Sequence, residues 1–133
     1  MVTLMRYFVA NTGKYYTYDV SSNFTIWTLN TISGVTANLN DVATFNGLTV
    51  FVVGNGGLIY KTTNSGSSWS QLNSSFSNGF YSISAVNNNY LMIRGSNNLA
   101  LRTSNSGTEW NKISSFSTIS SSQSPPLHLI QMI

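Results

Sequence analysis

Residues 53–69 read VGNGGLIYKTTNSGSSW, and residues 94–110 read RGSNNLALRTSNSGTEW. The two stretches lie 41 residues apart and align without a gap, with Gly, Asn-Ser-Gly and Trp at matching positions. The same offset aligns residues 39–72 with residues 80–113. A repeat of this length indicates an architecture in which each copy is one supersecondary unit.

Each of these two copies has the pattern of four short strands. The apolar segments are rich in β-branched and aromatic residues, and no window of about 11 residues carries a helical stripe. The Asn-Gly and Gly-rich pairs between them supply the positive φ angles of tight hairpins. We therefore predict one four-stranded antiparallel meander per copy, with strands at residues 39–45, 48–53, 58–62 and 68–72, and at residues 80–86, 90–94, 99–103 and 109–113.

A less regular copy comes first in the chain. It has three predicted strands, at residues 6–11, 15–19 and 24–29, and lacks a segment for the innermost strand. Residues 127–133, LHLIQMI, form a surplus strand-like segment after the third copy. The residues of the first copy that we match to the second are Gly13 with Gly54, Tyr18 with Tyr60 and Trp27 with Trp69.

The repeat predicts an all-β protein made of β-propeller blades, because a four-stranded meander of about 40–50 residues is the unit of such folds. We assign residues 1–133 to one domain, with a degenerate blade, two full blades and a C-terminal closing strand. A β-trefoil, which also has three repeats of this length, remains the alternative, and the chain being a piece of a longer propeller is another. The divisions of the domain are residues 1–38, 39–79, 80–119 and 120–133.

Residues 62–69 and 103–110 resemble the Asp-box of bacterial neuraminidase (BNR) repeats, in which Ser/Thr, Asp, Gly and Thr-Trp recur at this spacing. The glycine-rich residues before them resemble the blades of photosystem II assembly-factor propellers. Two departures stand out: Asn replaces Asp in both boxes, and Glu109 stands where Ser68 stands in the first. The resemblance implies a structural role in blade turns for Thr62, Asn64, Gly66, Trp69, Thr103, Asn105, Gly107 and Trp110.

Three blades are too few for a closed ring, because propellers typically have four to eight. The first copy lacks a strand and the C-terminal segment supplies one. We therefore predict a head-to-tail homodimer with six blades, in which residues 127–133 of each chain complete the first blade of the other.

The composition excludes most catalytic chemistry. The only carboxylates are Asp19, Asp41 and Glu109, the only imidazole is His128, and there is no Cys. Glycoside hydrolysis ordinarily needs two carboxyl groups across the scissile bond, so a sialidase-like hydrolase is only a remote alternative. We predict no enzyme, no metal site and no cofactor.

Charge and hydropathy exclude further partners. The six basic residues are scattered, whereas a nucleic-acid surface needs them clustered. No apolar run approaches the ~20 residues that span a bilayer. With 22 Ser, 17 Asn and 14 Thr among 133 residues, the composition is typical of a secreted or virion protein.

The remaining function is binding. In propellers the usual binding surface comprises the loops between second and third strands and the linkers between blades. Amides and hydroxyls beside aromatic rings suit sugars or peptide backbone, so we predict a module that recognises a glycan or a surface protein. A structural or assembly scaffold for protein partners is the alternative. The predicted ligand-binding residues are Lys14, Asp41, Asn55 and Asn97.

Overall fold

The computed structural model describes residues 5–20 and 26–113. Within them, three antiparallel sheets follow one another along the chain, and each is a meander of sequential strands. Blade 1 comprises β1 (Met5–Val9), β2 (Lys14–Asp19) and β3 (Trp27–Thr31); blade 2 comprises β4 (Leu39–Thr44), β5 (Val50–Gly54), β6 (Ile59–Thr62) and β7 (Ser70–Leu72); blade 3 comprises β8 (Phe80–Ala85), β9 (Leu91–Gly95), β10 (Leu99–Thr103) and β11 (Asn111–Lys112).

The three-sheet topology overturns the trefoil alternative. In the described residues every strand pairs only with strands of its own repeat, whereas a trefoil joins strands of different repeats into one barrel. The third strand of blade 1 is described from Trp27 to Thr31, and residues 24 and 25, with which its predicted range begins, lie outside the described part. The closing segment, residues 127–133, lies outside it as well.

Blade 1 lacks its innermost strand in the part of the chain that the structure describes. Its order β1-β2-β3 corresponds to β5-β6-β7 of blade 2, because β1 packs beside β4 as β5 packs beside β8. The innermost strands of the other blades are β4 and β8, which pair with β5 and β9. The inner edge of β1 has no such partner among the described residues.

The register corrects two of the predicted matches. Val9 pairs with Tyr15, and Val53 pairs with Ile59, so that the two hairpin loops have equal length. Gly13 therefore takes the place of Gly57 rather than Gly54; φ is +69° at Gly13 and +77° at Gly57.

Tyr16 takes the place of Tyr60, and the match of Tyr18 with Tyr60 is wrong. Tyr16 lies opposite Phe8, as Tyr60 lies opposite Val52. The match of Trp27 with Trp69 agrees with the register. Thr28, the residue after Trp27, lies opposite Thr17, and Ser70, the residue after Trp69, lies opposite Lys61, which is the counterpart of Thr17. The connection between β2 and β3 is thus longer than that between β6 and β7. For this reason the number of residues that separates matching positions of blades 1 and 2 is not the same for β2 as for β3.

The hydrophobic core lies between the blades, in two clusters. Burial of apolar surface at about 25 cal/mol per Å² makes these sheet-on-sheet contacts the main source of stability. The cluster between blades 1 and 2 has Tyr7, Tyr15, Ile32, Val35, Leu39, Val50 and Val52; that between blades 2 and 3 has Ala43, Phe51, Val53, Ile59, Phe80, Ile83, Leu91, Ile93, Leu99, Leu101 and Trp110.

The connections divide between two ends of the blades. At the loop end, second-to-third strand turns meet the inter-blade linkers; Gly13 N, for example, donates to Ala37 O at 2.8 Å. At the opposite end, hereafter the turn end, Ser65 N donates to Leu48 O at 3.0 Å and Ser106 N to Asn89 O at 3.0 Å.

In the described residues no helix is long and apolar enough to cross a membrane.

Candidate functional site

The repeated turns at residues 62–69 and 103–110 have the same internal hydrogen bonds. Thr62 Oγ1 accepts from Gly66 N at 2.9 Å and donates to Asn64 Oδ1 at 2.8 Å. Asn64 Oδ1 also accepts from Ser68 N at 2.9 Å. In the second turn Asn105 Oδ1 accepts from the backbone N–H of Glu109 at 3.0 Å. The change from Ser68 to Glu109 therefore leaves this hydrogen bond intact. These hydrogen bonds are of the kind that a structural role of the two turns requires. The assignment of the turns as Asp-boxes stays a prediction.

The Gly and Trp of each turn contact the preceding blade. Trp69 Nε1 donates to Tyr15 Oη at 3.2 Å, with ring centroids 5.3 Å apart. A Cβ atom at Gly66 would lie 2.6 Å from the same hydroxyl. Trp110 is only 8% exposed and lies in the core between blades 2 and 3. These turns therefore hold neighbouring blades together.

The predicted ligand-binding residues lie on the loop end but do not form one cluster. Lys14 and Asn97 are exposed, on blades 1 and 3. Asn55 Oδ1 accepts from Asn40 Nδ2 at 2.9 Å, and that amide also donates to Phe80 O at 2.8 Å.

The Asp41 carboxylate accepts two backbone hydrogen bonds. Oδ1 takes the N–H of Val42 at 2.9 Å, and Oδ2 takes the N–H of Ile83 at 2.8 Å. The second bond joins the inner strands of blades 2 and 3. The side chain thus has a structural task, and its role as a ligand residue stays a prediction.

The inner edge of β1 opens onto a groove that the sequence did not predict. Its volume is about 470 Å³. Tyr7 crosses its end, where Oη donates to Gly47 O at 2.9 Å. In blades 2 and 3 the innermost strands occupy the corresponding place. The groove is lined by Met5, Arg6, Tyr7 and Phe8 from one side and by Val42, Ala43, Thr44, Phe45, Asn46 and Gly47 from the other.

Next to this edge, blade 1 has an exposed aromatic face. Phe8 is 52% exposed and Trp27 46% exposed. Among the described residues Trp27 packs on its own blade, with its ring centroid 4.9 Å from those of Phe8 and Tyr18. We call this surface the aromatic face of blade 1, and it comprises Phe8, Tyr16, Tyr18, Trp27 and Leu29.

The aromatic face corresponds to surfaces that are covered elsewhere in the molecule. The Trp residues of blades 2 and 3 pack on the blade before them, whereas in the described residues no blade precedes the first. Contiguous exposed apolar patches of this kind mark interaction sites.

Two ionisable groups with shifted pKa values, Lys61 and Tyr7, lie between blades, and Tyr7 also lines the groove. Burial lowers the pKa of Lys61, which donates to Ser106 Oγ at 2.7 Å and lies 5.4 Å from the Phe51 ring centroid. Burial also raises the pKa of Tyr7. In the part of the chain that the structure describes, no three His, Asp or Glu residues could hold a metal ion together.

No protein-family model matches the chain, and no curated protein sequence does. Two YCF48 structures share this fold. One, YCF48 bound to D1 peptide, has a TM-score of 0.67 and 21% identity over 80% of this chain and 36% of that chain. The other, YCF48 from Cyanidioschyzon merolae, has a TM-score of 0.65 and 16% identity over 80% of this chain and 34% of that chain.

These likenesses confirm the prediction of β-propeller blades. The chain spans about a third of the length of the YCF48 chains it matches. At these identities the likeness shows the fold alone, so binding must be argued from the residues of this chain.

Proposed function

We propose that the chain is a protein-binding propeller module, an assembly scaffold without a catalytic role, which takes an extended protein segment at the inner edge of β1. The observation that carries this proposal is the inner edge of β1, which has no partner strand among the described residues and lies beside an open groove. Extended segments bind such edges by strand addition, in which main-chain hydrogen bonds give affinity and side-chain pockets give specificity. The YCF48 structure bound to D1 peptide offers a propeller of this fold with a peptide partner.

The groove has the dimensions and chemistry of a strand site. In blade 2 the innermost strand pairs with its neighbour from Leu39 to Thr44, and β1 offers an edge of five residues. Val42 and Phe8 give the groove apolar walls, while Arg6 adds a cation. A segment with alternating apolar and polar residues would fill it, because successive side chains of a strand point to opposite faces.

Glycan recognition, the other predicted binding function, has less support. The amides of Asn40 and Asn55 bond to each other and to the backbone, which leaves fewer groups free for sugar hydroxyls. Neither the likeness to YCF48 nor the geometry favours a glycan, and the secreted or virion location stays a prediction.

Hydrolysis has no support in the site geometry. Asp41 lies in β4 near the loop end, where its carboxylate accepts hydrogen bonds from two backbone N–H groups. Glu109 lies in a turn at the other end. Two carboxyl groups that flank a glycosidic bond must be about 5–10 Å apart, and these two lie at opposite ends of the blades.

Selection of peptides on the full chain tests the proposal. A display library of random decapeptides should yield binders with alternating apolar residues. Phe8→Lys should abolish their binding, since a charge on an edge strand blocks strand addition. Tyr81→Lys is the matched control and should keep binding, because Tyr81 is a comparably exposed aromatic residue, at 60%, that lies on β8 of blade 3, away from the groove at β1.

Equal binding to the wild type and to Phe8→Lys would contradict the proposal. A glycan array run in parallel separates the two binding functions, since a lectin should show binding that free sugar inhibits and a scaffold none.

A further inference from the structure

We infer that the partner at the inner edge of β1 is an acidic segment of another protein, in which an Asp or Glu side chain lies opposite Arg6. The inference rests on the proposed function, because it names the chemistry of the partner at the same edge. Three observations carry it: two cations on the exposed face of blade 1, the register that gives each partner residue its place, and the charge on the outer face of blade 3.

Two cations of blade 1 stand where blades 2 and 3 have buried apolar residues. Arg6 takes the place of Val50 and Leu91, which are 0% and 1% exposed. Lys14 takes the place of Leu99, which is buried as well. Both cations are exposed. This face of blade 1 therefore carries positive charge where the other blades carry core side chains, and it suits a partner with anionic groups.

The same face has no acidic side chain among the described residues. The two cations share a side of the sheet with the aromatic face, because residues two apart in a strand and residues directly opposite point the same way. Asp19, the one carboxylate in the described part of blade 1, lies opposite Met5 and therefore on the other side. A carboxylate on an added strand would stabilise the pairing, since opposite charges on neighbouring strands attract and like charges destabilise.

The register of the other blades gives each partner residue its place. Each inner-strand residue of blade 2 lies opposite one residue of β5, and each of those has a counterpart in β1. The partner should therefore place an apolar residue opposite Phe8, a small residue opposite Tyr7 and an acidic residue opposite Arg6. The inner-strand residues at these three places are Val42, Ala43 and Thr44 in blade 2 and Ile83, Ser84 and Ala85 in blade 3.

The first two places follow the four-stranded blades, and the third is specific to blade 1. Val42 packs against the cluster between blades 1 and 2. Ala43 is buried between blades 2 and 3, and in blade 1 the Tyr7 side chain already extends along this side of the groove as far as Gly47 O. Arg6 has no cationic counterpart in the other blades, so its place alone favours a carboxylate.

Charge does not favour a second copy of this chain as the partner. The face of blade 3 that corresponds to those turned toward a following blade carries Arg94 and Arg102, both exposed. A second copy stacked on blade 1 would bring these arginines toward Arg6 and Lys14, and like charges repel. The predicted homodimer therefore has no support from charge complementarity and stays a prediction.

Binding of three synthetic peptides to the full chain tests the inference. Each has the sequence of residues 79–87, GFYSISAVN, with the change Ala85→Glu, Ala85→Gln or Ala85→Lys. This inner-strand sequence has no other charged residue, so the three peptides differ only at the place opposite Arg6. By fluorescence anisotropy the Glu peptide should bind at least about fivefold more tightly than the Lys peptide, with the Gln peptide between them, because opposite and like cross-strand charges act in opposite directions.

Charge reversal in the protein gives the matched control. Arg6→Glu should reverse the order, so that the Lys peptide binds most tightly. Arg94→Glu makes the same change of net charge at an exposed arginine of blade 3 and should keep the order of the wild type. The same order of affinities in the wild type and in Arg6→Glu would overturn the inference.

The inference and the proposed function fail separately. If peptides from the display selection bind at the edge and lose binding in Phe8→Lys, but the three synthetic peptides do not bind in the expected order, the acidic partner falls and the proposed function stands. If neither the selected nor the synthetic peptides bind, the proposed function falls as well.

Two further measurements separate the other occupants. Light scattering that gives about twice 14.6 kDa for the wild type and the monomer for Phe8→Lys would overturn the inference in favour of a second copy. Tighter binding of decathymidylate than of the Glu peptide would overturn it in favour of single-stranded nucleic acid, which also binds aromatic rings beside cations.

Discussion

Asn64 and Asn105 each use one side-chain carbonyl to accept a backbone N–H, a bond that a carboxylate would make as well. The glycine two residues on is under a stricter constraint. Gly66 has φ +89°, and a Cβ atom there would lie 2.6 Å from the Tyr15 hydroxyl.

Gly66→Ala should therefore lower the free energy of unfolding by about 1 kcal/mol or more, since left-handed backbone and a steric clash both oppose it. Asn64→Asp should stay within about 0.5 kcal/mol of the wild type, as surface substitutions do. Urea denaturation measures both. An unchanged unfolding curve for Gly66→Ala would show that this turn is not built as described.

The two inter-blade Trp residues differ in one hydrogen bond. Trp69 Nε1 donates to Tyr15, whereas the indole nitrogen of Trp110 is buried without a partner in the described residues. Ile59 takes the place of Tyr15 in the next blade, so the acceptor is lost there.

Trp69→Phe should cost about 1 kcal/mol more than Trp110→Phe, because only the former breaks a bond and leaves a hydroxyl partly unsatisfied. Thermal unfolding of the two variants, each compared with the wild type, gives the difference. The assignment is wrong if Trp110→Phe is the more damaging change.

Tyr7 makes stability sensitive to alkaline pH. Burial raises its pKa above the ordinary value and proximity to Tyr15 adds to the rise, while a hydrogen bond with Ser65 opposes it. The folded state thus favours the protonated phenol. The stability from this group is complete below the unfolded pKa of about 10 and is lost as pH rises through the higher folded pKa.

Tyr7→Phe should lose about 1 kcal/mol at neutral pH with the bond to Gly47, and should show a smaller loss of stability than the wild type above about pH 10. Chemical denaturation at a series of pH values tests this. Parallel pH profiles for the two proteins would exclude Tyr7 as a source of the alkaline loss.

At the scale of elements, Asp41 ties the inner strands β4 and β8 together. Asp41→Ala should lower the free energy of unfolding by about 3 kcal/mol or more, because it removes two hydrogen bonds to a charged group and each contributes about 1.5–3 kcal/mol. Asp41→Asn, which keeps one acceptor, should lose less. Equal losses would mean that the carboxylate contributes no more than an amide, and a loss of ligand binding alone would restore its predicted ligand role.

The strands of blades 2 and 3 could be predicted because their turn residues repeat without a gap. The match of Gly13 with Gly54 failed, since in blade 1 the connection between β2 and β3 is longer and no Asn-Ser-Gly triplet fixes the register. The sequence predicted from the count of strands that the first copy has no segment of its own for the innermost strand, and among the described residues β1 has no partner on its inner edge. The groove beside it was not, because its second wall, residues 42–47, belongs to another blade.

At the scale of the molecule, the described residues form three consecutive blades with a hydrophobic cluster between each pair of neighbours. The first blade has three strands and the other two have four. In blades 2 and 3 the counterparts of β1, which are β5 and β9, pair with a strand on each side, and the Trp residue packs on the preceding blade. Within this part of the chain blade 1 has neither feature. An exposed sheet edge is a template for another chain. We therefore expect β1 to accept a strand.

Hydrogen exchange on the full chain, with and without a peptide from the selection, tests this expectation. A saturating amount of the peptide should slow exchange of the β1 amides that point away from β2 at least about tenfold, because the added strand bonds them and hydrogen-bonded amides exchange only when they open. In Phe8→Lys the same peptide should leave these amides unprotected, and the amides of β5 should keep their rate in both proteins. Equally fast exchange of these β1 amides in the wild type with and without the peptide would contradict strand binding at this edge.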